Sequence, residues 1–203
     1  TELDAEQRHY LKTVKSSAES LLVIVNDILD FSKIEAGKIQ FEKLPFSIHD
    51  TLFEAARVLA VSAHKKGLEL IADIWPQVPQ RVIGDPTRLR QVIINLIGNA
   101  IKFTEQGEVV LEVSVDQQTD GSVFLRFSVR DTGIGVPPDK QQAIFEAFSQ
   151  ADVSTTRRFG GTGLGLAISR ANVERWGGSL TVDSELDVGI VFHVTLPLWE
   201  PPA

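Results

Sequence analysis

A chain of 203 residues, 43% hydrophobic and 23% charged, has the profile of ordinary globular protein and room for one full domain with an appendage, or two small ones. Its longest unbroken apolar run, Leu21 to Val25, falls far short of the roughly 20 residues of a membrane span, and no signal-peptide pattern opens it. A net charge of −7 argues against nucleic-acid binding by phosphate neutralisation, and the absence of cysteine excludes disulfides, thiolate zinc and cysteine nucleophiles. The lack of methionine, even at position 1, suggests a fragment of something longer, expected to be cytoplasmic and without membrane contact of its own.

In chain order, Leu11, Val14, Ala18, Leu21, Val25 and Ile28 recur at alternating gaps of three and four, a seam of coiled-coil type. Leu22 and Leu29 widen it. A stripe this wide suits a helix in a bundle, and its place at one end favours self-association over a core helix docked on its own domain. Pro45 interrupts the pattern, so the chain is expected to divide near Lys43 to Phe46.

Ser47, with Asp50 three residues on, predicts a helix start. That helix runs to about Lys66, where Gly67 stops it. Leu68 to Ile74 predicts a strand. Asp85-Pro86 is an N-cap followed by proline at the first helical position, and the apolar pattern carries to Phe103. Glu108 to Val115 and Val123 to Val129 alternate on either side of a loop containing Asp120-Gly121, which predicts an antiparallel pair. Pro137 to Phe159 is polar and poorly periodic, and reads as a long flexible segment with a short helix around Lys140 to Phe148. A helix over Leu164 to Trp176 is closed by Gly177-Gly178, and strands Leu180 to Asp183 and Val191 to Leu196 follow. Helices mixed with mostly antiparallel strands predict a two-layer α/β sandwich.

Three features can carry chemistry. Asn95 and Asn99 share a face of the helix from Pro86 to Phe103, with Lys102 and Phe103 one turn beyond. Amide oxygens suit a hard cation such as Mg2+, and the lysine can meet phosphate; the alternative is a pair of satisfied surface amides. Asp131-Thr132-Gly133-Ile134-Gly135 leaves a strand end, where glycines admit a flat ligand and a carboxylate can accept from an exocyclic amine. The alternative is a plain glycine turn. Gly160-Gly161-Thr162-Gly163-Leu164-Gly165-Leu166 opens a helix, and its backbone N–H groups can hold phosphates. It has neither the Lys-Ser/Thr ending of a P-loop nor the preceding strand of a Rossmann turn.

The order and spacing of these features, together with Phe145 and Phe148, resemble the N, G1, F and G2 boxes of sensor histidine kinases. The hybrid type is the nearest likeness, on the segments NDILDFSKIEAGK, GDPTRLRQVIINLIGNAIKFT, FEAFSQAD and STTRRFGGTGLGLAIS. The resemblance covers essentially the whole chain. It implies a catalytic ATP-binding domain over residues 46–198, of the gyrase/Hsp90/histidine-kinase/MutL ATPase-type fold. It also implies that residues 1–43 are the second helix of a dimerisation and phosphotransfer hairpin.

By the same resemblance Asn99 would be the main Mg2+ ligand, with Asn95 nearby and Lys102 and Phe103 beside the nucleotide. Asp131 would bind the adenine amino group, with Gly133, Ile134 and Gly135 beneath the ring. Residues 136–160 would form the ATP lid, with Phe148 packing it and Arg157 or Arg158 reaching phosphate. Gly161, Thr162 and the amides of Gly163, Leu164, Gly165 and Leu166 would hold the phosphates. The superfamily's hydrolysing members carry glutamate at the position of Asn95; an amide cannot act as that base.

The implied function is an ATP-dependent protein-histidine kinase module of a two-component phosphorelay. Its partners would be ATP, a phospho-acceptor helix of the parent kinase, a response-regulator receiver and a second copy of the parent, which itself can be membrane-anchored. His9, His49, His64 and His193 all lack the family's acceptor motif, so the acceptor is expected outside this chain. Where relatives commonly read Gly-Ser-Thr-Phe, this chain reads Gly189-Ile190-Val191-Phe192. Two alternatives stand beside this reading: a nucleotide-hydrolysing conformational ATPase of the same superfamily, and a non-catalytic interaction module working through its helix.

Overall fold

The computed structural model describes residues 3–119, 121–149 and 162–201. It divides into two units, Thr1–Ile39 and Gln40–Ala203.

The first unit is built on α1 (Ala5–Glu35), about 46 Å long at 1.5 Å per residue. Its start is a full capping box: the Asp4 carboxylate accepts from the Gln7 N–H at 2.7 Å, and the Asp4 N–H donates to Gln7 Oε1 at 3.1 Å. Gly37, in the left-handed region, follows its end. The seam residues Leu11, Val14, Leu21, Val25 and Ile28 are exposed. No described helix is long and apolar enough to cross a membrane.

The second unit begins before Pro45. The Glu42 N–H already donates to the Asp85 carboxylate at 3.1 Å, and the Phe41 ring lies 5.5 Å from that of Trp176. Pro45 therefore sits inside a short strand, β1 (Leu44–Ser47), at the sheet edge, where a missing N–H is tolerated. Its antiparallel partner is β3 (Arg81–Gly84). Between them lie α2 (Ile48–Lys65), capped by the Ser47 hydroxyl on the Asp50 N–H at 3.2 Å, and β2 (Glu69–Ile74). Next come α3 (Pro86–Phe103), whose cap Asp85 accepts from the Arg88 N–H at 2.9 Å, and the hairpin of β4 (Glu108–Thr119) and β5 (Ser122–Asp131). The chain ends on α4 (Gly165–Arg175), β6 (Ser179–Glu185) and β7 (Gly189–Trp199).

The strands form one seven-stranded sheet in the order β1-β3-β7-β5-β4-β2, with β6 also paired to β7. All pairings are antiparallel except β2 with β4. One sheet face carries Val109, Leu111, Val113, Val123, Leu125, Phe127, Val129, Phe192, Val194 and Leu196 into the core. Helix α3 lays Leu89, Val92, Ile93, Leu96, Ile97 and Ala100 into that same core. This is the expected two-layer α/β sandwich, preceded by a long helix.

The helix expected around Lys140 to Phe148 is not formed. Two short 3-10 turns, Pro138–Lys140 and Ala143–Phe145, stand there instead. Pro137-Pro138 supply no N–H to an α-helical ladder. Gln141 uses its side chain to donate to the carbonyls of Val136 (3.1 Å) and Ser184 (2.8 Å). Phe148 then turns to φ +64°.

Candidate functional site

Helix α3 has two distinct flanks because its apolar residues recur at helical spacing and leave Asn95, Asn99, Lys102 and Phe103 beside the buried stripe. All four are half-buried. The Asn95 amide Nδ2 donates to the Ser169 hydroxyl on α4 at 2.8 Å. A Cβ on Gly165, the first residue of α4, would collide with Asn95 Oδ1. Glycine thus lets the opening turn of one helix lie against an amide of the other.

At the C-terminus of α3, the Lys66 ammonium donates to the carbonyls of Ile101 (2.7 Å), Lys102 (2.8 Å) and Thr104 (2.8 Å). A cation there satisfies carbonyls without helical partners and complements the helix dipole. The Lys102 ammonium lies 4.8 Å from the Phe103 ring centroid, and its burial lowers its pKa.

Asp131 ends β5 and is 4% exposed. Its Oδ1 accepts from the Gly133 N–H at 2.8 Å, and the Ile190 N–H and the Thr104 side chain also bond the carboxyl. Burial raises its pKa, and these three hydrogen bonds pull the other way. A Cβ on Gly133 would lie 2.6 Å from the Phe103 carbonyl oxygen, so the loop passes directly against the end of α3. Thr132 holds that loop in place: its hydroxyl accepts from the Glu108 N–H at 3.2 Å and donates to Gln106 O at 3.3 Å. Ile134 is exposed, and its carbonyl accepts from the Asp187 N–H at 2.9 Å. Gly135 has φ +70° and packs on the Glu185 backbone. Next to it the Val136 N–H donates to Ser184 Oγ at 2.7 Å.

Phe145 is buried edge-on to Phe192, with ring centroids 6.2 Å apart, and the Arg170 guanidinium lies 5.2 Å from the Phe145 ring centroid. Phe148 is 67% exposed in a left-handed conformation rare for a bulky residue. Its N–H donates to Gly163 O at 3.1 Å. The Leu164 N–H donates to Thr162 Oγ1 at 3.2 Å. Leu164 is buried and Leu166 packs on the core.

The sequence-predicted residues that are described therefore converge on one end of the second unit, around the C-terminal half of α3, the loop after β5 and the opening of α4. Arg157, Arg158 and Gly161 lie outside the described residues. Sequence reasoning missed Thr104, Ser169 and Lys66. Thr104 was visible only as the residue after Phe103, and Ser169 only as a hydroxyl one turn into an otherwise apolar helix start.

The four histidines are dispersed. His9 is exposed on α1 and His64 in the last turn of α2. His49 lies in the first turn of α2 with Nδ1 buried and unbonded. His193 on β7 meets Ser128 Oγ at 2.9 Å and the Asp183 carboxylate at 3.2 Å. Among the described residues no cluster of three or more His, Cys, Asp or Glu could hold a metal ion.

Comparison with known proteins gives the family. Residues 84–200 match the model of the histidine kinase-, DNA gyrase B- and HSP90-like ATPase family, and residues 1–37 match that of the His Kinase A (phospho-acceptor) domain. The signal transduction histidine-protein kinase BarA of Escherichia coli is 48% identical over 200 residues, covering 98% of this chain and 22% of that protein. The sensor histidine kinase GacS of Pseudomonas protegens is 46% identical over 198 residues, with coverage of 98% and 22%. The chain thus spans about a fifth of the length of these curated relatives. Among solved structures, full-length ShkA in complex with AMPPNP superposes with a TM-score of 0.84 at 39% identity, covering all of this chain and 41% of that one. With a family model spanning more than half of its residues and kinases of this type similar along nearly all of it, the chain belongs to the histidine kinase-, DNA gyrase B- and HSP90-like ATPase family.

Proposed function

We propose that this chain is the ATP-binding catalytic module of a protein-histidine kinase, which binds Mg-ATP and donates the γ-phosphoryl group to a histidine outside residues 1–203. The observation that carries the reading is the meeting of an amide flank on α3 with the glycine opening of α4, beside a buried carboxylate hydrogen-bonded by its own glycine loop.

Asp131 would accept from the adenine amino group. Its hydrogen bonds from Gly133, Ile190 and Thr104 hold the carboxylate in place and favour its charged form. Gly133, Ile134 and Gly135 would pass beneath the ring, where a side chain at Gly133 would meet the Phe103 carbonyl. The amides of Gly163 to Leu166 would cradle the phosphates at the α4 N-terminus. Lys102, partly desolvated, would neutralise phosphate charge. Phe148 packs against Gly163, and Arg157 and Gly161 would complete the lid and phosphate loop.

The donor set suits Mg2+. Oxygen ligands are what this cation takes, and with few protein ligands it is shared between protein and phosphates; Asn99, with Asn95 beside it, would supply them. Mg2+ would screen the charge that develops as the bond from the γ-phosphorus to the bridging oxygen breaks and the bond to the histidine nitrogen forms. An amide at position 95 accepts no proton, so it activates no water. This favours transfer to an acceptor over hydrolysis.

We place the module in the cytoplasm, where ATP is abundant. In the parent kinase α1 would pair with the acceptor-bearing helix and with a second copy, and the phosphoryl group would pass on to a response-regulator aspartate. The test mixes the chain with an acceptor hairpin from a kinase of this family and γ-labelled ATP. Label should reach the hairpin histidine in the presence of Mg2+, and Asn99→Ala should abolish it. Steady phosphate release lost in the same variant, without labelled hairpin, would instead mean an ATPase; no nucleotide binding by the folded protein would mean an interaction module.

A further inference from the structure

Ser169 lies in the second turn of α4 and is 2% exposed. Its hydroxyl accepts from the Asn95 amide nitrogen across the α3–α4 seam at 2.8 Å. An amide has a donor end and an acceptor end. With Nδ2 committed to Ser169, Oδ1 is the end presented to the backbone of Gly165, where a Cβ would collide with it. Rotated by half a turn, the same side chain would present an NH2 group where a cation needs oxygen. One turn further along α4, Asn172 is 1% exposed and neither of its amide atoms has a hydrogen-bond partner. Within this polar file of α4, Ser169 is thus the group seen bonding to Asn95.

We infer that Ser169 is a positioning residue for the metal end of the site, holding the Asn95 amide with its carbonyl oxygen toward the α4 opening. It also ties together the two elements that would share the nucleotide's phosphates, one carrying amide side chains and the other backbone N–H groups. The inference rests on the proposed Mg-ATP reading. Partners that orient metal ligands typically alter metal affinity 10- to 100-fold when removed.

The experiment is calorimetric titration of AMPPNP into the chain, with Mg2+ and with excess chelator, for the native protein and for Ser169→Ala, Asn95→Ala and the double variant. The native protein should gain affinity on adding Mg2+. Ser169→Ala should lose roughly tenfold of that gain while keeping its metal-free affinity, and the double variant should bind no more weakly than Asn95→Ala alone. A Ser169→Ala protein that keeps the full gain overturns the inference and leaves the Mg-ATP reading standing. An equal loss with and without metal also overturns it, because Ser169 would then only pack α3 on α4. A native protein that binds the nucleotide with no gain from Mg2+ defeats the metal part of the reading itself, and the inference with it.

Discussion

Replacing Asp131 by asparagine should move stability and binding in opposite directions. In the free protein burial is the dominant influence on this carboxyl and raises its pKa above the ordinary aspartate value. Its ionisation is therefore harder in the folded chain than in the unfolded one. Any stability gained from the group is full below about pH 3.8 and is lost as pH rises through the higher folded value. Asparagine keeps the shape and one acceptor oxygen but never ionises. At neutral pH free Asp131→Asn should be at least as stable as the native chain, with the advantage fading as pH falls into the carboxylate range.

Binding should suffer. A charge-assisted bond to the adenine amine is worth about 1.5–3 kcal/mol, and the new amide can set a donor against that amine. A loss of about 2.7 kcal/mol weakens Kd about 100-fold. Nucleotide at about 100 times the native Kd stabilises the native chain by about 2.7 kcal/mol, whereas the same concentration stabilises the variant by about 0.4 kcal/mol. At about 2–4 °C per kcal/mol, melting scans with Mg-ADP should show shifts of about 5–10 °C and about 1–2 °C. Two results would refute the reasoning: a variant that keeps the native shift, or a free variant that melts well below the native chain at neutral pH.

Three further outcomes follow from the same geometry. Burial lowers the Lys102 pKa, so its charge is lost at a lower pH than that of a solvated lysine; ATP affinity should fall toward alkaline pH, and Lys102→Gln should flatten that titration. Lys66→Met leaves three carbonyls at the end of α3 without their ammonium, which should cost about 1–2 kcal/mol in urea unfolding at unchanged m-value; a stability equal to native would show the clamp to be ornamental. Gly133→Ala puts a methyl 2.6 Å from a backbone oxygen and should destabilise by about 1–3 kcal/mol, while weakening nucleotide binding more than a distant change of equal cost.

The long elements were readable because their signals are local. Asp85-Pro86 marks the start of α3, Ser47 that of α2, and Gly67 and Gly177 follow helix ends with the positive φ that glycine tolerates. β1 and β3 were missed because four residues each, one of them Pro45, hold no period of their own; pairing with each other makes them strands. The helix expected around Lys140 to Phe148 failed for a related reason. Its polar residues suit a helix in isolation, but Gln141 is bonded to Ser184 of β6, 43 positions away. Within the site, the residues proposed to meet the ligand announced themselves by type and spacing, as Asn95, Asn99 and Asp131 did. Those that act by holding others, Thr104, Lys66 and Ser169, depend on contacts 27, 35 and 74 or so positions apart that no local pattern encodes.

The pairing of β7 has a consequence for how the module breathes. It is bonded along one edge by β5 and along the other by β6 and, at its far end, β3. Its amides, with those of β5, should be the last to exchange with deuterated solvent, since opening them requires parting the sheet on both sides. Asp131 closes one of these strands, and Ile190, which bonds it, opens the other. The carboxylate therefore hangs from the seam expected to exchange slowest, while the loop from Thr132 onward is tied down mainly by the side chains of Thr132, Ser184 and Gln141. Nucleotide arrival should slow exchange in that loop and leave the seam as it was, a division of labour in which one end of the ligand meets a rigid wall and the other a yielding one.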